Sequence, residues 1–124
     1  MIKKATIVGS GLAGPLLSIL LAKKYDIQVT MYERNSDIRE TSSYSGRSIN
    51  LALSERGINA LKQADLYDTE FEKLLIPMHG RMIHHNNGEQ TFQPYGNKKN
   101  HFINSVSRSE INKILLTKAE STNR

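Results

Sequence analysis

The segment Ala5-Thr6-Ile7-Val8-Gly9-Ser10-Gly11-Leu12-Ala13-Gly14-Pro15 decides the reading of this chain. A short apolar run closed by glycine suits a buried parallel strand. Leu12 to Lys24 then reads as a helix, with Leu12, Ala13, Leu16, Leu17, Leu20 and Leu21 forming a wide apolar stripe of the kind packed between a sheet and another layer. Ile27 to Tyr32 supplies a second strand and completes a β-α-β unit. Between strand and helix, Gly9 to Gly14 spells G-x-G-x-x-G. The pattern is weak alone and gains specificity from the flanking strand and helix. Gly9 permits the tight turn, Gly11 lets a pyrophosphate approach the backbone, and Gly14 lets helix and strand pack closely. Unpaired N–H groups and the helix dipole attract the phosphates. Pro15 falls in the first turn, where its missing donor costs little.

Glu33 lies 19 residues after Gly14, at the end of the second strand. An acidic side chain there accepts hydrogen bonds from the hydroxyls of an adenosine ribose, and its charge repels a 2′-phosphate. The site therefore favours FAD or NAD over NADP. The competing reading is plainer: glycines that form only a turn, and a glutamate that only solvates a strand end.

Further along, Asn35 to Gly46 is polar and serine-rich and reads as a surface loop. The run Ser48 to Leu53 leads into Ser54, a candidate N-cap for a helix from Glu55 to about Ala64 that Gly57 weakens only locally. Arg81 to His85 and Gln90 to Gln93 flank Asn86-Asn87-Gly88, a hairpin signal because Asn and Gly tolerate positive φ. Ser107-Arg108-Ser109-Glu110 has the S-x-x-E form of a capping box and precedes Ile111, Ile114, Leu115 and Ala119 at helical spacing.

The bulk properties exclude several classes. A chain of 124 residues is one small domain or a piece of a larger one, because typical domains run roughly 100 to 200 residues. A hydrophobic fraction of 38%, a charged fraction of 23% and a mean hydropathy of −0.47 describe an ordinary globular chain. The longest apolar run, Leu16 to Ala22, is interrupted by Ser18 and is far shorter than the roughly 20 residues of a membrane span. No secretory signal is read at the N-terminus. Without cysteine there are no disulfides, thiolate metal sites or cysteine nucleophiles, which fits a reducing compartment, and the expected location is cytoplasmic.

The net charge of +5 arises from scattered pairs such as Lys3-Lys4, Lys23-Lys24 and Lys98-Lys99, whereas a nucleic-acid footprint clusters its basic residues. His79, His84, His85 and His101 lack carboxylate or cysteine partners at ligand spacing, so no metal site is expected. No nucleophile elbow accompanies the serines, and no catalytic side chain is assigned. Arg81 and Tyr95 sit on opposite arms of the expected hairpin. A guanidinium and a phenol there could converge on a carboxylate-bearing ligand. Spacing alone favours the plainer reading, a solvated arginine beside a half-buried strand tyrosine.

The stretches GRSINLALSERGINAL (Gly46 to Leu61), IPMHGRMIH (Ile76 to His84), FQPYG (Phe92 to Gly96) and SVSRSEINKILLTKAE (Ser105 to Glu120), following the glycine motif in this order, resemble the N-terminal part of the kynurenine 3-monooxygenase family. The resemblance covers nearly the whole chain. It implies an FAD-dependent aromatic hydroxylase that uses NADPH and oxygen to convert L-kynurenine to 3-hydroxykynurenine in tryptophan catabolism. In such an enzyme the cofactor carries the chemistry and the protein supplies placement.

Carried over by motif, Ala13, the segment Tyr32, Glu33, Arg34 and Asn35, and Ala52 and Arg108 join Gly9, Gly11 and Gly14 as FAD-contacting positions, and Arg81 with Tyr95 hold the substrate's carboxylate. The expected fold is α/β, a Rossmann-like FAD-binding β-α-β start with an added β-hairpin. Residues 1–124 form an incomplete N-terminal part of that domain, since the family's later Gly-Asp flavin segment and C-terminal helices find no counterpart here. The alternatives are another flavoprotein hydroxylase, an NAD-linked oxidoreductase, or a non-catalytic nucleotide-binding remnant with open sheet edges.

Overall fold

A computed structural model describes residues 3–40, 49–97 and 101–123. The Lys98-Lys99 pair and parts of the loop over Asn35–Gly46 and of the run from Ser48 lie outside the described residues. The chain is mixed α/β and begins with the β-α-β unit: β1 (Lys4–Val8), α1 (Ala13–Tyr25) and β2 (Gln28–Tyr32), the strands pairing in parallel from Lys4↔Gln28 to Val8↔Tyr32. Helix α1 ends on Asp26, whose φ of 52° is left-handed. The amides of Asp26 and Ile27 return to the carbonyls of Ala22 and Leu21, the paired bonds of a Schellman turn, and aim the chain into β2.

A second sheet follows, ordered β3 (Asn50–Leu53), β7 (Ile103–Ser107), β4 (Ile76–Met78), with antiparallel pairing on both sides of β7. Between its strands in sequence lie α2 (Glu55–Gln63), the single turn α3 (Thr69–Glu72) and a hairpin of β5 (Gly80–His84) and β6 (Gln90–Pro94). Helix α4 (Arg108–Thr122) closes the described chain. Its expected cap forms in part: the Ser107 hydroxyl accepts from the Glu110 amide at 3.4 Å, while the Glu110 carboxylate accepts from Lys113. Ser54 does occupy the N-cap of α2 with extended backbone, but its side chain makes no capping bond. In the hairpin, Gly88 alone of the turn residues takes positive φ, 87°, and the Gly88 amide donates to His85 O at 3.0 Å. This is a three-residue loop with a glycine bulge.

The core gathers Ile19 of α1, Leu61 of α2, Phe71 of α3, Val106 of β7 and Ile111 and Leu115 of α4. Helix α1 is thus flanked by the parallel pair on one side and α4 on the other, the sandwiched position that its wide apolar stripe implies. The expectation of a buried first strand is corrected. Burial alternates along β1, with Ala5 and Ile7 partly covered and Lys4, Thr6 and Val8 exposed. Among the described residues a helix covers only one face of this pair.

Polar ties complete the packing of α4. Asn123 accepts from the Val29 amide at 3.2 Å and donates to the buried Ser18 hydroxyl at 2.8 Å, joining the end of α4 to α1 and β2. Arg39 donates to both oxygens of Asp37 and, at 2.8 Å, to both oxygens of Glu120. That fork binds the segment after β2 to α4 and holds the Asp37 carboxyl down to about 2.

Ile19 is fully buried between the two long helices. Ile19→Ala is expected to destabilise the chain by about 2–5 kcal/mol, combining lost transfer energy with a residual cavity. Urea denaturation monitored by circular dichroism measures the change.

Candidate functional site

Parallel pairing brings the carboxyl ends of β1 and β2 side by side, so the glycine turn after β1 and Glu33 after β2 become neighbours. The Gly9 amide donates to Tyr32 O at 2.7 Å and ties the turn to the second strand. Gly9 has φ +102°, a conformation side chains resist. A Cβ on Gly14 would stand 2.2 Å from Gly9 O, so only glycine lets the helix start this close to the strand end.

Nothing lies within 4 Å of the Cβ positions of Gly9 or Gly11. The N-cap of α1, Leu12, makes no side-chain capping bond, and its first turn carries no acidic residue. An uncapped helix N-terminus beneath open backbone is a receptive place for an anion. These residues fit the diphosphate of a nucleotide cofactor: the turn and helix N-terminus would face the phosphates and Glu33 the ribose.

Glu33 is more organised than its position in the sequence implies. One carboxylate oxygen accepts from the Ser10 amide at 2.8 Å and the Ser10 hydroxyl at 3.0 Å; the other accepts from the Asn35 amide at 2.8 Å and the Asn35 side-chain amide at 2.9 Å. The Asn35 amide, followed by the Ser10 donors, holds the Glu33 carboxyl down to about 2, since each bond favours the charged form. Ser10 occupies a variable position of the glycine motif, where nothing in the sequence marks it as a partner of Glu33.

The remaining candidates divide among three places. Ala13 opens α1, and Tyr32, exposed, together with Arg34 and Asn35 borders the glycine turn. Ala52 and Arg108 belong instead to the second sheet and the start of α4: Ala52 is exposed opposite Ser105, and the Arg108 amide donates to Ile49 O at 3.1 Å. On the hairpin, Arg81 is opposite Gln93, and the Tyr95 amide donates to His79 O just beyond the strand end. The register therefore puts Arg81, Gln93 and Tyr95 on one face.

The Arg81 guanidinium donates through Nε to Gln93 Oε1 at 2.7 Å. Tyr95 also lines a cleft of about 540 Å³ together with Tyr67, Glu72, His101, Phe102 and the buried Asn104, whereas Arg81 is not part of its wall. Among the described residues no group of His, Asp and Glu could hold a metal ion, and no helix is long and apolar enough to cross a membrane.

Comparison with curated proteins bears on what this arrangement serves. The chain is 48% identical over 118 residues to the kynurenine 3-monooxygenase of Legionella pneumophila strain Corby, covering 95% of this chain and 26% of the relative. To the enzyme of that name from Myxococcus xanthus strain DK1622 it is 49% identical over 117 residues, 94% of this chain and 25% of the relative. This chain matches the N-terminal part of kynurenine 3-monooxygenase. The kynurenine 3-monooxygenase of Cytophaga hutchinsonii is 44% identical over 122 residues, 98% of this chain and 27% of that protein. The chain thus spans about a quarter of the length of the kynurenine 3-monooxygenases it matches. No family profile matches it.

Titration of the Glu33 side-chain carboxyl carbon by NMR is expected to give a midpoint near 2. Because the bonds favour the charged form, the stability they contribute is fully present above the ordinary carboxylate range and is lost as pH falls through about 2. A midpoint at the ordinary value would mean that Ser10 and Asn35 do not hold the carboxylate.

Proposed function

We propose that this chain is the nucleotide-binding N-terminal segment of an FAD-dependent kynurenine 3-monooxygenase, which hydroxylates L-kynurenine to 3-hydroxykynurenine in tryptophan catabolism. NADPH is oxidised to NADP⁺; one atom of O₂ enters the aromatic ring and the other leaves as water. The observation that carries the reading is identity of 44–49% sustained over 94–98% of the chain with proteins of that name. The geometry agrees with it, since an open glycine turn faces a carboxylate suited to a ribose.

When bound, the flavin supplies the redox chemistry with NADPH and oxygen. This chain's own residues bind and orient. Gly9, Gly11, Ala13 and Gly14 receive the diphosphate, and Glu33, bordered by Tyr32, Arg34 and Asn35, takes the ribose. Ala52 and Arg108 approach the cofactor from the second sheet. Arg81 and Tyr95 grip the carboxylate of kynurenine, for which a planar guanidinium and a phenol donor are well matched.

Incubation of the purified chain with FAD, followed by desalting and an absorption spectrum, tests the cofactor assignment. Retained flavin bands are expected, and their loss in Glu33→Lys would tie retention to the ribose site. In a full-length enzyme carrying this sequence, Arg81→Ala is expected to raise KM for kynurenine by about tenfold to a hundredfold, the worth of a charge-assisted bond. Flavin content should stay unchanged, and loss of flavin would remove Arg81 from the substrate site.

A further inference from the structure

An ionised carboxylate offers about four acceptor positions. In Glu33 four donors meet its two oxygens: the backbone amide and hydroxyl of Ser10 on one, the backbone amide and side-chain amide of Asn35 on the other. A ribose can therefore reach this carboxylate only by exchange. The donors are not equivalent. The Ser10 amide is part of the glycine turn and the Asn35 amide part of the turn after β2, so neither leaves without rebuilding the backbone. The hydroxyl and the side-chain amide depart by rotation about side-chain bonds alone. Each oxygen carries one donor of each kind, so the two movable ones sit on different oxygens, as two parallel bonds from a vicinal diol would.

We propose that the Ser10 hydroxyl and the Asn35 side-chain amide stand, in the free chain, where the two hydroxyls of a ribose diol bind Glu33. They are placeholders that leave as the nucleotide enters, an assignment that rests on the nucleotide reading of the glycine turn. The backbone amides of Asn35 and Ser10, joined by the Ser10 hydroxyl, keep the carboxylate charged, and the two movable donors hold it oriented before binding. Selectivity follows from the exchange. A ligand must return two donors to Glu33 to recover what it displaces, which a ribonucleotide with free 2′- and 3′-hydroxyls does. A 2′-phosphorylated one returns a single donor and adds a repelling charge. Asn35 then acts through Glu33 as a positioning residue.

NMR on the full chain, titrated with ADP and separately with 2′,3′-dideoxy-ADP, tests this. With ADP, the Asn35 side-chain amide resonances should move to solvent-like positions while the backbone amides of Ser10 and Asn35 hold theirs; the dideoxy nucleotide should leave all of them in place. Displacement by both nucleotides alike, or bound ADP with an unmoved Asn35 amide, would overturn the placeholder role and leave nucleotide binding intact. If neither nucleotide binds, the nucleotide reading falls and the role with it.

The variant Ser10→Ala/Asn35→Ala adds a readout that a merely structural role would not produce. Its Glu33 midpoint should rise only in part, because the backbone amides of Asn35 and Ser10 stay in place. Its preference for ADP over the dideoxy nucleotide should widen roughly tenfold, because ribose then displaces water rather than intramolecular donors. An unchanged or narrower preference would overturn the proposal.

Discussion

No side chain fits between the end of strand β1 and the start of helix α1. The Cα of Gly14 approaches the Gly9 carbonyl so closely that a methyl group would overlap it. That contact sets the angle at which α1 leaves the sheet, and much of the architecture follows from the angle. Ile19 is carried into the space that α4 also fills, and the uncapped first turn of α1 is left facing the open backbone of Gly9 and Gly11. Packing and anion attraction are two results of one steric allowance.

Helix α4 answers that placement with polar as well as apolar contacts. Burial of the Ser18 hydroxyl would cost stability without a partner, and Asn123 supplies one from the far end of the chain. The same side chain also satisfies an amide on the outer edge of β2, and the Arg39 fork binds α4 to the segment that follows Asn35. The end of α4 therefore supports the strand whose continuation carries Glu33. A network of this kind keeps a short two-stranded sheet in register although one of its faces is exposed.

The candidate contacts occupy three different frameworks. The glycine turn and Glu33 are built on the parallel pair; Ala52 and Arg108 are built on the antiparallel sheet, and Arg81 and Tyr95 on and just beyond a hairpin that, among the described residues, has no strand partner in either. The hairpin residues are thus the least supported: Arg81 is exposed, and among the described residues its guanidinium bonds to Gln93. Under the proposed function, rigid support beneath the glycine turn and lighter support beneath the hairpin suit a division in which the first holds a resident group and the second receives a ligand that comes and goes.

Local chemistry determined a great deal here. Glycine spacing, the apolar stripe of α1, the Asn-Gly turn and the Ser107 cap are short-range features, and each depends on conformational preferences a residue carries with it. So the β-α-β start, the hairpin and the last helix were legible from the residues, as was the pairing of the glycine turn with Glu33. What only the tertiary structure decided was which groups meet across distance. It exposed one face of β1, made β7 the middle strand of a sheet formed by segments far apart in sequence, and sent Asn123 to Ser18. It also filled the Glu33 carboxylate with donors from Ser10 and Asn35. Such contacts leave no periodic trace, because a hydrogen bond between residues brought together by folding depends on where two backbones arrive and not on any preference of either residue alone.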